Sequence, residues 1–119
     1  MKKLILQVLG SSLFALAFSC HASNYGFLND AAISNFTPED TKLFLAAQAD
    51  ALDHKRDGVK VNWKNQNSGA FGYMIPSKTT KMNGQLCRTL VIFNSANGVT
   101  GKNMFKYCKI DRTWKAFPP

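Results

Sequence analysis

The side chains of this 119-residue chain best suited to metal ligation, nucleophilic attack or redox exchange are three cysteines and two histidines. Cys87 and Cys108 bracket the stretch CRTLVIFNSANGVTGKNMFKYC; Cys20 and His21 lie together near the start, and His54 stands alone. A structural zinc site needs about four ligands, and a redox pair usually takes the Cys-x-x-Cys spacing. The separation of Cys87 from Cys108 is far wider. Which chemistry the two sulfurs perform therefore turns on where the chain resides.

The first residues decide that. Met1-Lys2-Lys3 is a short positive stretch, and residues 4–18 are apolar apart from Gln7, Gly10, Ser11 and Ser12. Ser19-Cys20-His21-Ala22-Ser23 follows with small residues. This is the layout of a secretory signal peptide over residues 1–22, too short for a typical spanning helix. Cleavage after Ala22 fits a small-x-small site. The alternative is a lipoprotein signal with Cys20 as the acylated first residue, although Phe18 is bulky where a lipobox has a small residue. Membrane association is expected only if Cys20 is lipid-anchored. Once the signal is removed, Cys87 and Cys108 are an even pair in an oxidising compartment, the setting of a structural disulfide. His54 alone cannot complete a metal site with them, so neither a metal nor a cofactor is expected.

Charge is segregated along the chain. Five of the seven acids, Glu39, Asp40, Asp50, Asp53 and Asp57, fall between residues 39 and 57. From Gly58 onward Asp111 is the one acid against ten basic residues. Such a surface suits anionic partners, which for an exported protein means phosphorylated lipid or acidic polymers. The candidate contacts are Lys60, Lys64, Lys78, Lys81, Arg88, Lys102, Lys106 and Lys109. Nucleic acid also suits the charge, but export argues against it.

The elements that position these residues are readable. Residues 23–36 are a lead-in, and residues 37–119 form one small α+β domain. Thr37 is an N-cap, Pro38 suits the first helical position, and Glu39 and Asp40 favour the positive end of the dipole. Phe44, Leu45, Ala47, Ala51 and Leu52 share one side, with Asp50 and Asp53 opposite. Lys55 and Arg56 suit the helix end, Gly58 can stop it, and Phe36 is placed for a hydrophobic staple. The period then changes to 2. Strands are expected at residues 59–64, at 70–75 up to Pro76, at 87–93, at 102–110 and at 113–117. Trp63, Tyr73, Phe105 and Trp114 are the expected large core residues beneath an amphipathic helix, on an antiparallel sheet of four or five strands.

A two-residue type I′ turn on Asn97-Gly98 tests the cysteine pairing. It sets Ala96 opposite Val99, and every facing pair outward then sums to 195 in residue number. Cys87 and Cys108 meet that condition as a non-hydrogen-bonded pair, with Leu90 opposite Phe105 and Val91 opposite Met104. A longer loop with Gly101 as a bulge would shift the register. A bridge closing such a loop stabilises by about 3 kcal/mol in the chain-entropy model.

The stretch VNWKNQNSGAFGYMIPSKTTKMNGQLCR, followed by Cys108 and Trp114, resembles the C-terminal domain of the 17-kDa surface antigen family of bacterial envelope proteins. The matching pieces are Trp63-Lys64-Asn65, Gly69-x-x-Gly72-Tyr73, Pro76 with Lys78-Thr79, Gly84-Gln85-x-Cys87-Arg88, Cys108 and Trp114. The resemblance implies a small exported α+β domain in the periplasm or at the outer membrane or cell surface of a Gram-negative bacterium, without catalytic residues. The glycine-zipper segment that many members carry is absent here, and a capped amphipathic helix stands in its place.

No enzymatic constellation accompanies this pattern. His54 has no marked nucleophile or orienting partner in sequence, and Ser68, Ser77 and Ser95 lie in turn-like sequence without a nucleophile elbow. Trp63, Tyr73 and Trp114 fit core packing better than a stacking surface. The expectation is a non-enzymatic envelope protein that binds a protein partner or anionic envelope component through a basic sheet face. The alternative is a secreted inhibitor or effector that binds a host or envelope enzyme; an inhibitor of a basic lysozyme should be acidic, so the charge argues against that variant.

Overall fold

The structure, a computed structural model, describes residues 31–117. The signal segment, its cleavage point, Cys20 and the lead-in up to residue 30 lie outside the described residues. The part of the lead-in that is described is ordered by packing: Ile33–Asn35 form a 3-10 turn, and Ala32 beside it is completely buried.

Helix α1 spans Pro38–His54 and starts where its caps dictate. The Asp40 N–H donates to the Thr37 hydroxyl at 3.1 Å, and the Thr37 N–H donates to the Asp40 carboxylate at 2.8 Å. This reciprocal box satisfies two otherwise orphaned donors. Phe36 makes its staple with Phe44 and Trp63, at ring-centroid distances of 5.7 and 5.2 Å. The helix ends at His54 and Lys55 is already extended, so Lys55 and Arg56 lie beyond the helix that their charge seemed to prolong.

Five antiparallel strands follow, in the order β1-β2-β3-β4-β5: β1 Val61–Lys64, β2 Phe71–Met82, β3 Gln85–Ala96, β4 Val99–Ile110 and β5 Thr113–Phe117. Each pairs with its neighbour in sequence. One helix on this sheet has the expected layout, but the sheet dominates. Asn83-Gly84 and Asn97-Gly98 both take positive φ at their two central positions, the I′ geometry that closes two-residue hairpins. The β3–β4 register has Ala96 opposite Val99, Leu90 opposite Phe105, Val91 opposite Met104 and Cys87 opposite Cys108. The two cysteines form a disulfide with Cα atoms 4.0 Å apart.

Pro76 does not end its strand. The Gly58 N–H donates to the Pro76 carbonyl at 2.7 Å, so the backbone polar groups of Pro76 face the edge that β1 has vacated. The missing N–H therefore removes no β2–β3 ladder bond. The strand runs on to Met82 through a register shift between Ser77 and Thr80, where Lys78 adopts φ 49°. The residue types favour a bulge at this point only weakly, which is why the expected strand stops at Pro76.

Candidate binding face of the sheet

Facing residues in neighbouring strands share a side of the sheet, so the registers sort every side chain to one of two faces. One face lies under α1. It carries Trp63 from β1, Gly72, Met74 and Pro76 from β2, Leu90, Ile92, Asn94 and Ala96 from β3, and Tyr107 from β4, all buried. With Phe44, Ala47, Ala51 and Leu52 of the helix they make the core. Phe105 and Trp114 pack at its margin, as expected.

Tyr73 does not belong to this core. Tyr73 is among the expected large core residues, and the structure buries its neighbours Gly72 and Met74 instead. Gly72 shows why. A Cβ there would sit 2.2 Å from the Phe93 carbonyl, 2.6 Å from Asn94 Oδ1 and 2.6 Å from Trp63 Nε1. Trp63 Nε1 donates to Asn94 Oδ1 at 3.2 Å directly over this glycine. The bare backbone lets the indole lie flat on the sheet and reach its acceptor, as buried tryptophan requires.

Arg88 is the second departure. It is 6% exposed and points under the helix rather than toward a ligand. Its Nη1 donates to the carbonyls of Ala51 and Leu52 at 2.9 and 2.7 Å. Its Nη2 donates to the Lys55 carbonyl at 2.6 Å and to Asp57 at 3.1 Å, and its Nε donates to the Thr79 hydroxyl at 2.8 Å. The guanidinium thus closes the C-terminal end of α1, satisfying last-turn carbonyls and meeting the negative end of the dipole. Asp57 accepts from both the N–H and the hydroxyl of Thr79, and these bonds with the Arg88 guanidinium hold its carboxyl below the ordinary range.

Asp40, expected only to favour the positive end of the α1 dipole, is also inside, at 1% exposure. Burial pushes its carboxyl up, but the hydrogen bonds from Ser68, the Thr37 N–H and Asn65 outweigh that and leave it below the ordinary value. Asn65 and Ser68 donate to it at 2.7 and 2.6 Å, tying the β1–β2 turn to the helix start. Lys109 is on the helix side too, 3.6 Å from Asp53 and over the Trp114 ring. The Trp114 indole N–H donates to the same Asp53 at 2.8 Å. Between α1 and this margin, Leu45, Gln48, Ala49, Leu52, Tyr107 and Trp114 line a groove of about 140 Å³. Burial raises the pKa of Tyr107, which stays a neutral phenol and accepts from Gln48 at 2.8 Å.

The other face of the sheet is open. Its rows, read across the strands, are Lys64-Phe71-Ser95, Asn62-Tyr73-Phe93-Lys102, Ile75-Val91-Met104 and Ser77-Thr89-Lys106-Phe117. Tyr73 stacks on Phe93 with ring centroids 5.2 Å apart, and the Lys60 ammonium lies 4.1 Å above the Tyr73 ring. Phe71, Met104 and Phe117 are 45, 61 and 44% exposed. The disulfide continues this face beyond Lys106 but is itself buried, with Lys115 opposite Cys108. Lys60, Lys64, Lys102 and Lys106, four of the eight candidate cations, thus share one face, and Lys115 joins them. Lys78 lies in the register shift of β2 and Lys81 beyond it, in the outer end of the β2–β3 hairpin. The apolar members of the face escaped sequence reasoning; their one signal was that β3 is apolar at both parities.

Among the described residues no cluster of three His, Cys, Asp or Glu side chains is placed to hold a metal, and no helix is long and apolar enough to cross a membrane. Comparison with known proteins finds a similarity to a 17 kDa surface antigen of Rickettsia australis, 37% identical over 51 residues. That stretch is 42% of this chain and 33% of the relative, so the match spans about a third of the relative's length. No family model matches the chain, and no solved structure matches it.

Proposed function

We propose that the protein is a non-enzymatic, exported cell-envelope protein of the surface-antigen type, which holds an anionic envelope component against the open face of its sheet. The observation that carries this reading is the apolar rows of Phe71, Tyr73, Ile75, Val91, Phe93 and Met104 rimmed by Lys60, Lys64, Lys102, Lys106 and Lys115. Four of the acids sit on α1 across the sheet, and Asp57 is engaged by Thr79 and Arg88. Export, to the periplasm or the outer membrane, is supported by the N-terminal sequence and by the similarity to a surface antigen.

The test is binding of the processed chain to envelope fractions as salt rises. Exposed charge–charge contacts weaken as the Debye length falls from about 10 Å at 0.1 M salt to about 3 Å at 1 M. Binding should fall over that range and fall again in Lys102→Glu/Lys106→Glu. Binding indifferent to both changes refutes the reading. Mass spectrometry of the processed N-terminus distinguishes cleavage after Ala22 from acylation of Cys20.

A further inference from the structure

The open face carries two chemistries at once, and one class of ligand matches both. Strand spacing of about 4.8 Å places Ile75, Val91 and Met104 across a band about 10 Å wide. Phe71 flanks it toward one end and Phe117 toward the other, next to Lys106. Large apolar side chains this exposed, grouped and rimmed by polar residues mark an interaction surface. The rim is cationic: Lys60 and Lys64 at the β1 side, Lys102, Lys106 and Lys115 at the β4–β5 side. A second copy meeting the first face to face would set lysine rims against each other, with no acid on either described face to compensate. A soluble polyanion would satisfy the lysines and leave Phe71, Met104 and Phe117 wet. An anionic bilayer satisfies both, because its phosphates lie above its acyl boundary and long lysine stems span that depth.

The charge layout also orients the molecule. Glu39, Asp40, Asp50 and Asp53 belong to α1, on the far side of the sheet. A negative surface therefore attracts the open face, whereas on the helix side Asp50 and Asp53 are paired with Lys55 and Lys109 and offer no comparable positive rim. We propose that the protein lies flat on an anionic phospholipid bilayer through this face, with Phe71, Met104 and Phe117 in the interfacial layer and Lys64, Lys102, Lys106 and Lys115 on lipid phosphates. This rests on the reading of the open face as an anionic-ligand face, and identifies the ligand.

The experiment uses the chain matured from a Cys20→Ser precursor, so that no acyl group can be attached. It is sedimented with vesicles of phosphatidylcholine alone or with roughly a third phosphatidylglycerol, and titrated separately with inorganic polyphosphate. The expected result is partition onto the anionic vesicles only, lost at high salt. A lysine near an anionic surface contributes about a fivefold gain in partition, so Lys102→Glu/Lys106→Glu should lose at least ~25-fold. Phe71→Ser/Met104→Ser should weaken vesicle binding about tenfold or more and leave polyphosphate binding unchanged. Salt dependence of the unmodified chain serves if a variant does not fold. Polyphosphate binding without vesicle binding overturns the bilayer assignment and leaves the anionic-face reading standing. Loss of both overturns both. Vesicle binding unchanged in the Phe71/Met104 variant, or equal on neutral and anionic vesicles, also overturns the bilayer assignment.

Discussion

Replacing Arg88 with alanine removes the side chain that closes the C-terminal end of α1, and its cost follows from the contacts. The guanidinium's five N–H groups each reach an acceptor: three helix-end carbonyls, the Thr79 hydroxyl and Asp57. Hydrogen bonds to charged groups contribute about 1.5–3 kcal/mol each when measured singly, but bonds that share one side chain do not add. Breaking a buried ion pair by deleting one partner costs about 3–5 kcal/mol. The Asp57 side chain is 44% exposed and rehydrates when abandoned, whereas the Ala51 and Leu52 carbonyls lie beneath the helix. The lower part of that range, about 3–4 kcal/mol, is the expected loss. Set against a total of about 5–10 kcal/mol for a domain of this size, it is large. With a urea m-value of ~1.5 kcal/mol/M, the midpoint of a melt with the disulfide intact should fall by about 2 M or more. Arg88→Lys keeps the charge and loses the planar fork, so it should lie between the two. The folded fraction of either variant should partition onto anionic vesicles as the parent does. A loss under about 1 kcal/mol, or intact stability with lost vesicle binding, would refute the helix-closing role.

Three other outcomes are expected. Gly72→Ala should cost about 3 kcal/mol, from overpacking against the Phe93 carbonyl and from displacement of the Trp63–Asn94 bond, with a changed Trp63 near-ultraviolet signal. The unreduced processed chain should show no reactive thiol at Cys87 or Cys108, and the double serine variant should lose about 3 kcal/mol in a thermal or urea melt. Asp40 has a folded-state pKa below its ordinary 3.8, so its stabilising contribution is complete above that value and is lost as pH falls through the lower folded one. Acid titration of Asp40→Asn should therefore show a flatter loss of stability below pH ~4 than the parent, and an identical slope would argue against this linkage.

Features that depend on short-range geometry are legible in the residues alone. The Thr37-Pro38 start of α1 follows from capping chemistry, and the Cys87–Cys108 pairing follows from a type I′ turn at Asn97-Gly98 with strict one-to-one register. The limits of β2 are not legible, because a proline inside a strand is acceptable only where its edge is unpaired, and that depends on where β1 ends. The basic character of the second half is plain from composition, yet it does not separate Lys102 and Lys106 on the open face from Lys109 against Asp53 or from Arg88 beneath the helix.

By itself the sequence determined which residues pair along the chain: the helix and its cap, the Asn97-Gly98 hairpin turn, and Cys108 as the partner of Cys87. Those are set by φ preferences, missing N–H groups and a fixed step of two residues between strands. Only the tertiary structure decided the sides. In β2 and β3 both parities are apolar, so periodicity allows α1 to cover either face. The helix settles where Gly72 lets Trp63 lie flat over Asn94 and where Arg88 reaches its last carbonyls. Phe71, Tyr73, Phe93 and Met104 are thereby left on the open side among the lysines.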